Sequence, residues 1–312
     1  MTMDRADLNF TAGTRMIGKW HGKTYHLLRK LGSGAQGTVY LAVSGKQKKV
    51  AVKLARDRAS LISEINVLKT FQSFPGTPPG PELYDSDDWV IPGRETIAFC
   101  VMEYLSGEPL DRALKRKSFE WVTVFLVQLL GQLQNLHSRG YIFGDLKPEN
   151  LILTDPGYSL RCLDFGGATR LGRSVREYTE FYDRGYWGLG TRKADPGYDL
   201  FACAMIMIYA ALGRRINRNG QPDRQLFRLI ESNPKLFPFK KVLYSALNSR
   251  YDSAGRMRSE LMQQIMEISR AGQPRKLQRK KKESPAGEWI SAGFSAALMV
   301  TIYVICVILY VL

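Results

Sequence analysis

The feature that most constrains the fold is a glycine-rich segment that runs directly into a strand-like pattern. Glycines at positions 32, 34 and 37 leave the backbone without Cβ atoms, so that it can approach a phosphate chain closely. A dinucleotide-binding turn uses the same spacing but needs a helix directly after the glycines. Here β-branched and aromatic residues follow, from Thr38 to Val43, and these favour a strand. The sequence therefore predicts a strand–turn–strand hairpin within a mostly β section over residues 25–106.

A lysine ends the next apolar strand, which covers residues 50–53. In that place Lys53 loses hydration, which is unfavourable unless an anion pairs with it. An isolated lysine of this kind would more often extend to water. A helical pattern over residues 61–71 carries Glu64, which is therefore the candidate partner of Lys53.

Two further motifs follow in the second half of the chain. D-L-K-P-E-N begins at Asp145, and D-F-G begins at Asp164. With the glycine segment and the strand lysine, in this order, they make the chain resemble the protein kinase superfamily, and within it the bacterial eukaryotic-like Ser/Thr protein kinases. The resemblance implies an α+β, bilobal protein-kinase fold over about residues 25–270. The N-lobe, about 25–103, would be small and mostly β, and the C-lobe, about 106–270, larger and mostly helical.

The same resemblance implies ATP-dependent phosphoryl transfer to Ser/Thr hydroxyls of proteins, the activity of a protein serine/threonine kinase, with ATP and Mg²⁺ (or Mn²⁺) as cofactors. Asp145 would accept the hydroxyl proton or orient the nucleophile. Lys147 would neutralise the transferring phosphate, and a lysine at this position is typical of Ser/Thr kinases. Asn150 and Asp164 would supply oxygen ligands to the metal.

The ATP-binding residues are also implied by the resemblance. Residues 102–105 resemble the hinge between the lobes, with Met102 as gatekeeper and the backbone of Glu103 and Leu105 facing adenine. The complete set comprises the glycine segment, two residues of the strand that follows it, two residues of the next strand, the helix glutamate and the hinge: Leu31, Gly32, Ser33, Gly34, Ala35, Gln36, Gly37, Thr38, Val39, Ala51, Lys53, Glu64, Met102, Glu103 and Leu105.

Two other residues are expected to support the site. Asp199 is a plain helix N-cap or, as the family implies, the residue that holds the catalytic loop through backbone hydrogen bonds. Thr179 is expected to contact Asp145 and Lys147, as the corresponding threonine does in Ser/Thr kinases.

The sequence departs from the family pattern in three places, one of which is the short, basic segment 213–240. Phe143-Gly144 replaces the usual His-Arg, which argues against control by activation-loop phosphorylation and removes one brace of the catalytic loop, although Phe143 can still pack. The family's A-P-E is missing, since its positions fall on Arg184, Gly185 and Tyr186. The usual buried Glu–Arg pair is therefore expected to be absent, which leaves Arg256, its expected partner, with another role.

The last 23 residues, 290–312, carry no charge and are apolar on all sides, which predicts a transmembrane helix. Six of the eight residues 275–282 are Lys or Arg, so this cluster is expected to lie on the cytoplasmic side and to contact anionic lipid. The predicted organisation is an extension (1–24), the kinase domain (25–270), a basic juxtamembrane linker (271–289) and a single-pass C-terminal anchor in the cell membrane (290–312), with the kinase domain cytoplasmic.

The net charge of +16 points to anionic partners. Acidic protein substrates and anionic lipid fit it, and the arginines within residues 213–240 suit an acidic substrate, a membrane-facing surface or a merely solvated face. Nucleic acid is not expected, because no motif supports it; a kinase dimer is a further partner hypothesis. The alternative functions are a pseudokinase scaffold and a small-molecule phosphotransferase of the aminoglycoside or choline kinase type.

Overall fold

The structure is a computed structural model that describes residues 8–34, 36–45, 47–71, 78–93, 95–155 and 159–271. The chain divides into two units, residues 1–270 and 271–312. The basic cluster 275–282 and the predicted anchor 290–312 lie outside the described residues. No helix within the described ranges combines the length and the apolar character that a membrane crossing needs.

The N-lobe is a six-stranded antiparallel sheet with one helix packed on it, in the strand order β1-β2-β3-β4-β6-β5. Its elements are β1 (Arg15–Ile17), β2 (Thr24–Ser33), β3 (Gly37–Ser44), β4 (Lys49–Ala55), α1 (Arg58–Phe71), β5 (Leu83–Trp89) and β6 (Ile97–Glu103). The predicted hairpin around the glycine segment is present as β2 and β3.

Both faces of strand β4 are buried, and the alternation of its side chains decides which face carries Lys53. Since side chains alternate along a strand, Val50 and Val52 enter the core on one face, while Ala51 packs in a second cluster with Leu61 and Ile65 of α1. Lys53 shares the face of Ala51, so its side chain points to the α1 side of the sheet.

The described part of the predicted N-terminal extension, residues 8–24, belongs to the N-lobe. Leu8 and Met16 are fully buried in its core, and β1 pairs with β2 at the edge of the sheet. The segment after β1 is attached to β5, because the N–H groups of Trp20 and His21 donate to the carboxylate of Asp87.

The C-lobe is mostly helical, as predicted. Its helices are α2 (Leu110–Arg116), α3 (Phe119–Ser138), α4 (Pro196–Leu212), α5 (Pro222–Ser232), α6 (Lys240–Leu247) and α7 (Ala254–Ala271). Its short strands are β7 (Gly107–Pro109), β8 (Tyr141–Ile142), β9 (Leu151–Thr154), β10 (Ser159–Cys162) and β11 (Thr169–Arg170). They form a sheet in the order β10-β9-β7 and a β11-β8 pair.

Helix α4 is the centre of the C-lobe. The apolar run over residues 200–212 predicts a core helix, and the prediction is confirmed, because residues 197–208 are all buried. Pro196 opens the helix at a position where no backbone N–H is needed, and Gly213 ends it in the left-handed conformation (φ 70°).

An ion pair of this chain's own lies where the A-P-E motif is missing. The buried guanidinium of Arg184 binds both carboxylate oxygens of Asp195, at 3.0 and 2.5 Å, and the carbonyl oxygens of Thr191 and Lys193. Arg256 lies instead on the exposed side of α7, with its Nε 3.6 Å from Glu260. The segment before α4 is therefore held by the Arg184–Asp195 pair instead of the family's Glu–Arg pair.

Candidate active site

Lys53 is the point at which the two lobes meet in the site. Its Nζ donates to Glu64 Oε2 at 2.7 Å and to Asp164 Oδ1 at 3.0 Å. The Lys53–Glu64 pairing predicted from the sequence is thus present, and it is enclosed: 6% of the lysine side chain and 3% of the glutamate side chain are exposed. The D-F-G aspartate is brought to the same ammonium from more than a hundred residues away.

Burial and charge act against each other in this cluster. Burial lowers the pKa of Lys53, but the carboxylates of Glu64 and Asp164 outweigh it, so the pKa is raised and the ammonium stays charged. For Glu64 burial is the larger effect and raises the pKa to about 7, despite the contact with Lys53. For Asp164 burial also raises the pKa, but Lys53 and the N–H of Gly166 outweigh it, and the net direction is down.

The raised pKa of Glu64 makes stability depend on pH. Because its pKa is 4.5 in the unfolded reference and about 7 in the fold, the folded state binds the extra proton between these values. The resulting stabilisation is complete below pH 4.5 and is lost as the pH rises through 7. We expect the wild-type free energy of unfolding to fall by roughly 2 kcal/mol between pH 5 and 7.5, relative to Glu64→Gln, in urea titrations without nucleotide. Parallel pH curves for the two proteins would contradict this, and exposed Glu267→Gln is the matched control.

The catalytic loop, residues 143–150, is arranged around the carboxylate of Asp145. Lys147 Nζ lies 2.5 Å from Asp145 Oδ2, and the hydroxyl of Thr179 donates to Asp145 Oδ1 at 2.9 Å. Lys147 also contacts the Thr179 hydroxyl, at 3.1 Å. Both contacts predicted for Thr179 are therefore present. The side-chain amide of Asn150 donates to the backbone oxygen of Asp145 at 2.8 Å, which fixes the loop on itself.

Asp199 holds the catalytic loop through hydrogen bonds to its backbone. It is fully buried in α4, and its carboxylate accepts from the N–H of Phe143 (2.7 Å) and the N–H of Gly144 (3.0 Å). Asp195, rather than Asp199, is the N-cap residue of α4, so the loop-holding interpretation is the correct one. A third partner, His137 Nε2 at 2.8 Å, was not singled out from the sequence. The signal that points to it is a histidine in the last turn of a largely apolar helix.

The Phe143-Gly144 replacement has a structural reason. Gly144 has φ 82°, a left-handed conformation, and a Cβ there would collide with the carbonyl oxygen of Gly167. Phe143 is buried and packs edge-on against Phe165 of D-F-G, with ring centroids 5.2 Å apart. The packing predicted for Phe143 is therefore present, and it connects the catalytic loop to the D-F-G segment.

Asp199→Asn tests this support. An asparagine has one acceptor oxygen, so at least one of the two loop N–H groups loses its partner in a buried place. We expect a loss of about 1–3 kcal/mol in the free energy of unfolding and a fall in kcat of about tenfold or more, with a smaller change in KM for ATP. Urea unfolding and steady-state kinetics measure the two effects. Asp223→Asn, on the exposed first turn of α5, is the control, and equal kinetics for the two variants would exclude a positioning role for Asp199.

Asn150 and Asp164 suit a hard cation. The amide nitrogen of Asn150 is used by Asp145, which leaves its amide oxygen as the ligand atom. The side chain of Asp164 is 46% exposed although Lys53 binds one of its oxygens. The N–H of Leu163 donates to the Asn150 carbonyl at 2.8 Å and keeps the two segments adjacent. Oxygen donors in this number fit Mg²⁺, which takes its remaining ligands from phosphate and water.

The glycine hairpin packs closely against β4 where β3 begins, at Gly37. A Cβ at Gly37 would collide with the carbonyl oxygen of Leu54, so the close approach of β3 and β4 requires a glycine there. The hydroxyls of Ser33 and Thr38 lie 3.0 Å apart across the hairpin, and the N–H of Gly34 donates to the carbonyl of Gly37 at 2.9 Å. Ala35 lies outside the described residues.

Gln36 connects the hairpin to the other site residues. Its Oε1 accepts from Lys53 Nζ at 3.2 Å, and its side chain packs against the backbone of Gly166. Its amide group donates to Glu177 of the activation segment, the residues 167–195 between D-F-G and α4. Of the described glycine-segment residues, Gln36 is the one whose side chain reaches the lysine.

The hinge residues continue from β6. Met102 pairs with Ala51 in the sheet register, and both are buried, as is Leu105. The N–H of Glu103 donates to the carbonyl of Glu82 at 2.8 Å, so the carbonyl oxygen is the backbone group of Glu103 that is left to face adenine. That the backbone of Glu103 and Leu105 faces adenine stays a prediction.

Arg161 holds the side chain of this hinge glutamate and was missed in the sequence. The two carboxylate oxygens of Glu103 accept from Nη1 and Nη2 of Arg161, at 3.0 and 2.9 Å. Arg161 lies buried in β10, where a charge between apolar residues was the available signal. The hinge is therefore tied directly to the C-lobe.

Known proteins resemble this chain over the same region. The family model described as the protein kinase domain matches residues 25–271. The serine/threonine-protein kinase YabT of Bacillus subtilis (strain 168) is 48% identical over 263 residues, which cover 84% of this chain and 78% of that protein. More distant matches are the serine/threonine-protein kinase PknG of Mycobacterium leprae (29% over 189 residues; 56% of this chain, 24% of that protein) and cyclin-dependent kinase G1 of Arabidopsis thaliana (26% over 222 residues; 64% and 34%).

Proposed function

The chain belongs to the protein kinase family and is a protein serine/threonine kinase, and from this premise we propose that it transfers the γ-phosphoryl group of ATP through the cluster around Lys53 and Asp145. The observation that carries the proposal is the contact of Lys53 Nζ with both Glu64 and Asp164. This contact brings the N-lobe lysine and the D-F-G aspartate together, as binding of one phosphate chain by both requires.

Asp145 acts on the acceptor hydroxyl. Its Oδ1 already accepts a hydrogen bond from a threonine hydroxyl, at 2.9 Å from Thr179, which supports the same role towards a substrate serine or threonine. A carboxylate at that distance orients the hydroxyl and receives its proton. Lys147, 2.5 Å from the other oxygen, places a positive charge where the transferred group arrives.

Lys53 binds the phosphates of ATP through its charged ammonium. Glu64 holds this ammonium on the α1 side of β4, and the raised pKa of Lys53 supports a permanent charge there. Asn150 and Asp164 would hold Mg²⁺, and the bound ion supplies positive charge that neutralises the phosphate oxygens.

The scaffold and small-molecule alternatives are not favoured. Loss of one or more site residues marks a pseudokinase, whereas all four are present here, with Lys53 in contact with Asp164 and Asn150 in contact with Asp145. The similarity to a bacterial Ser/Thr kinase extends over most of the chain, which disfavours the aminoglycoside and choline kinase type.

The direct test is transfer from γ-labelled ATP by the full-length protein. With Mg²⁺, we expect label on protein substrates and on the enzyme itself, recovered as phosphoserine and phosphothreonine after hydrolysis, and none in excess EDTA. Label that appears only on aminoglycosides or amino alcohols would overturn the proposal. ATP binding without transfer to any acceptor would replace it with a scaffold.

We also propose that residues 290–312 anchor the protein in the cell membrane, with the kinase domain cytoplasmic and residues 275–282 on anionic lipid. The support is the 23-residue uncharged run and the basic cluster before it. Fractionation of cells that express the full-length protein, or a variant that ends at residue 285, tests this. We expect the first in the membrane fraction and the second in the supernatant, and full-length protein in the supernatant would refute the anchor.

A further inference from the structure

The activation segment carries three tyrosines, each covered by an arginine. Tyr178, Tyr182 and Tyr186 lie four residues apart around Thr179, the residue that contacts Asp145. The guanidinium carbons of their arginine partners lie 3.9, 5.3 and 5.3 Å from the ring centroids, and these arginines are Arg192, Arg215 and Arg218 respectively. An arginine stacked on a ring is held in one orientation, while the edge of its guanidinium remains able to bind a carboxylate.

The three arginines differ in how their charge is compensated. Arg192 binds the fully buried carboxylate of Asp183 at 2.8 Å, so it mainly supports the fold of the segment. Arg215, in the loop after α4, pairs with Glu149 of the catalytic loop. Arg218 donates to the carbonyl of Tyr186, and within the described ranges it forms no ion pair. Its charge therefore remains uncompensated and exposed.

The Arg215–Glu149 pair changes what the catalytic loop presents to a substrate. Glu149 directly precedes Asn150, which bonds to Asp145, and its side chain is 43% exposed. An unpaired carboxylate in this place would attract basic side chains near the acceptor hydroxyl. Because Arg215 neutralises it, basic residues lose that partner, while the neighbouring positive charge of Arg218 repels them and attracts acidic residues.

We propose that Arg215 and Arg218 make this surface selective for protein substrates with acidic side chains beside the acceptor serine or threonine. Arg218 binds the acidic side chain, and Arg215 excludes basic ones by neutralising Glu149. The inference rests on the proposed function, since it concerns the substrate of the same site. An anionic lipid surface would use the same charges. A peptide is favoured because both arginines contact the activation segment or the catalytic loop, the two segments that also carry Thr179 and Asp145.

The test uses the full-length enzyme with peptides that are identical except for the residues flanking one acceptor serine, which are Ala, Glu or Arg. We expect kcat/KM to be about tenfold higher for the Glu peptide than for the Arg peptide. Arg218→Gln lowers the Glu-to-Ala ratio by about threefold, the effect of one exposed ion pair. Arg29→Gln, which removes an exposed charge from β2, leaves the ratio unchanged.

Arg215→Gln gives the reciprocal result. It exposes the carboxylate of Glu149, so use of the Arg peptide rises by about threefold relative to the Ala peptide, and Arg215→Gln with Glu149→Gln removes this gain. Equal rates on all three peptides would overturn the inference while leaving the kinase activity intact. An unchanged Glu-to-Ala ratio in Arg218→Gln, with weaker binding to phosphatidylserine vesicles, would assign the surface to lipid instead. Failure to phosphorylate any peptide or the enzyme itself would refute the proposed function.

Discussion

Replacing Asp145 with asparagine is expected to lower kcat by roughly a hundredfold to ten-thousandfold. Asparagine has nearly the same shape, so it can keep a contact with the Thr179 hydroxyl and the position of the loop, but it cannot accept a proton as the carboxylate does. It also removes the negative charge that holds Lys147 at 2.5 Å. Because Asp145 does not contact Lys53, the affinity for ATP should stay within about twofold of wild type.

The measurement combines steady-state phosphorylation with equilibrium ATP binding. Asp155→Asn is the matched control, because Asp155 is an exposed aspartate in the turn after β9. If Asp145→Asn retained more than about a tenth of the wild-type kcat, Asp145 would not be the catalytic base, and the hydroxyl would have to be activated without it.

Replacing Lys53 with glutamine is expected to lower kcat/KM for ATP by about a hundredfold or more, since it removes the charge that binds the phosphates. It also leaves the buried carboxylate of Glu64 and the half-exposed carboxylate of Asp164 without their cation. Loss of one partner of a buried pair typically costs about 3–5 kcal/mol. The pKa of Glu64, already about 7, rises further without the ammonium. Protonation removes the buried negative charge and is easier at pH 5.5 than at pH 8, so the destabilisation is smaller at pH 5.5.

A double variant separates the two effects. Lys53→Gln with Glu64→Gln removes the stranded carboxylate, so we expect most of the lost free energy of unfolding to return while ATP use remains low. Urea unfolding at pH 5.5 and pH 8, with phosphorylation assays on the same preparations, checks both. Recovery of activity in the double variant would mean that Lys53 acts through folding and not on the phosphates.

Much of the candidate site could be predicted from the sequence, because its chemistry is carried by short local patterns. The glycine hairpin, the lysine within β4 and the residues from Asp145 to Asn150 each occupy one short stretch of the chain. The desolvated lysine after the apolar residues 50–52 and the glutamate on the helical pattern over residues 61–71 were enough to indicate that Lys53 and Glu64 pair.

The contacts that hold the site in place could not be predicted in the same way. His137 with Asp199, Arg161 with Glu103 and Arg184 with Asp195 are each pairs of ordinary charged or polar residues. The sequence offers only weak signals for these pairs, such as a histidine in the last turn of a largely apolar helix or an arginine between apolar residues. Their importance comes from burial, since a buried polar group without a partner is costly, and burial depends on how the helices and strands pack.

The sequence by itself determined which chemical groups this protein brings to phosphoryl transfer, since the residue types and their spacing follow from the chemistry. Only the tertiary structure decided which arginines are available to a substrate. The sequence does not distinguish Arg192, Arg215 and Arg218 from one another. Packing pairs the first with buried Asp183 and the second with Glu149, and leaves the third without an ion pair among the described residues. The physical reason is that the effect of a charge depends on the distance to its partners and on its access to water, and both are set when distant segments pack together.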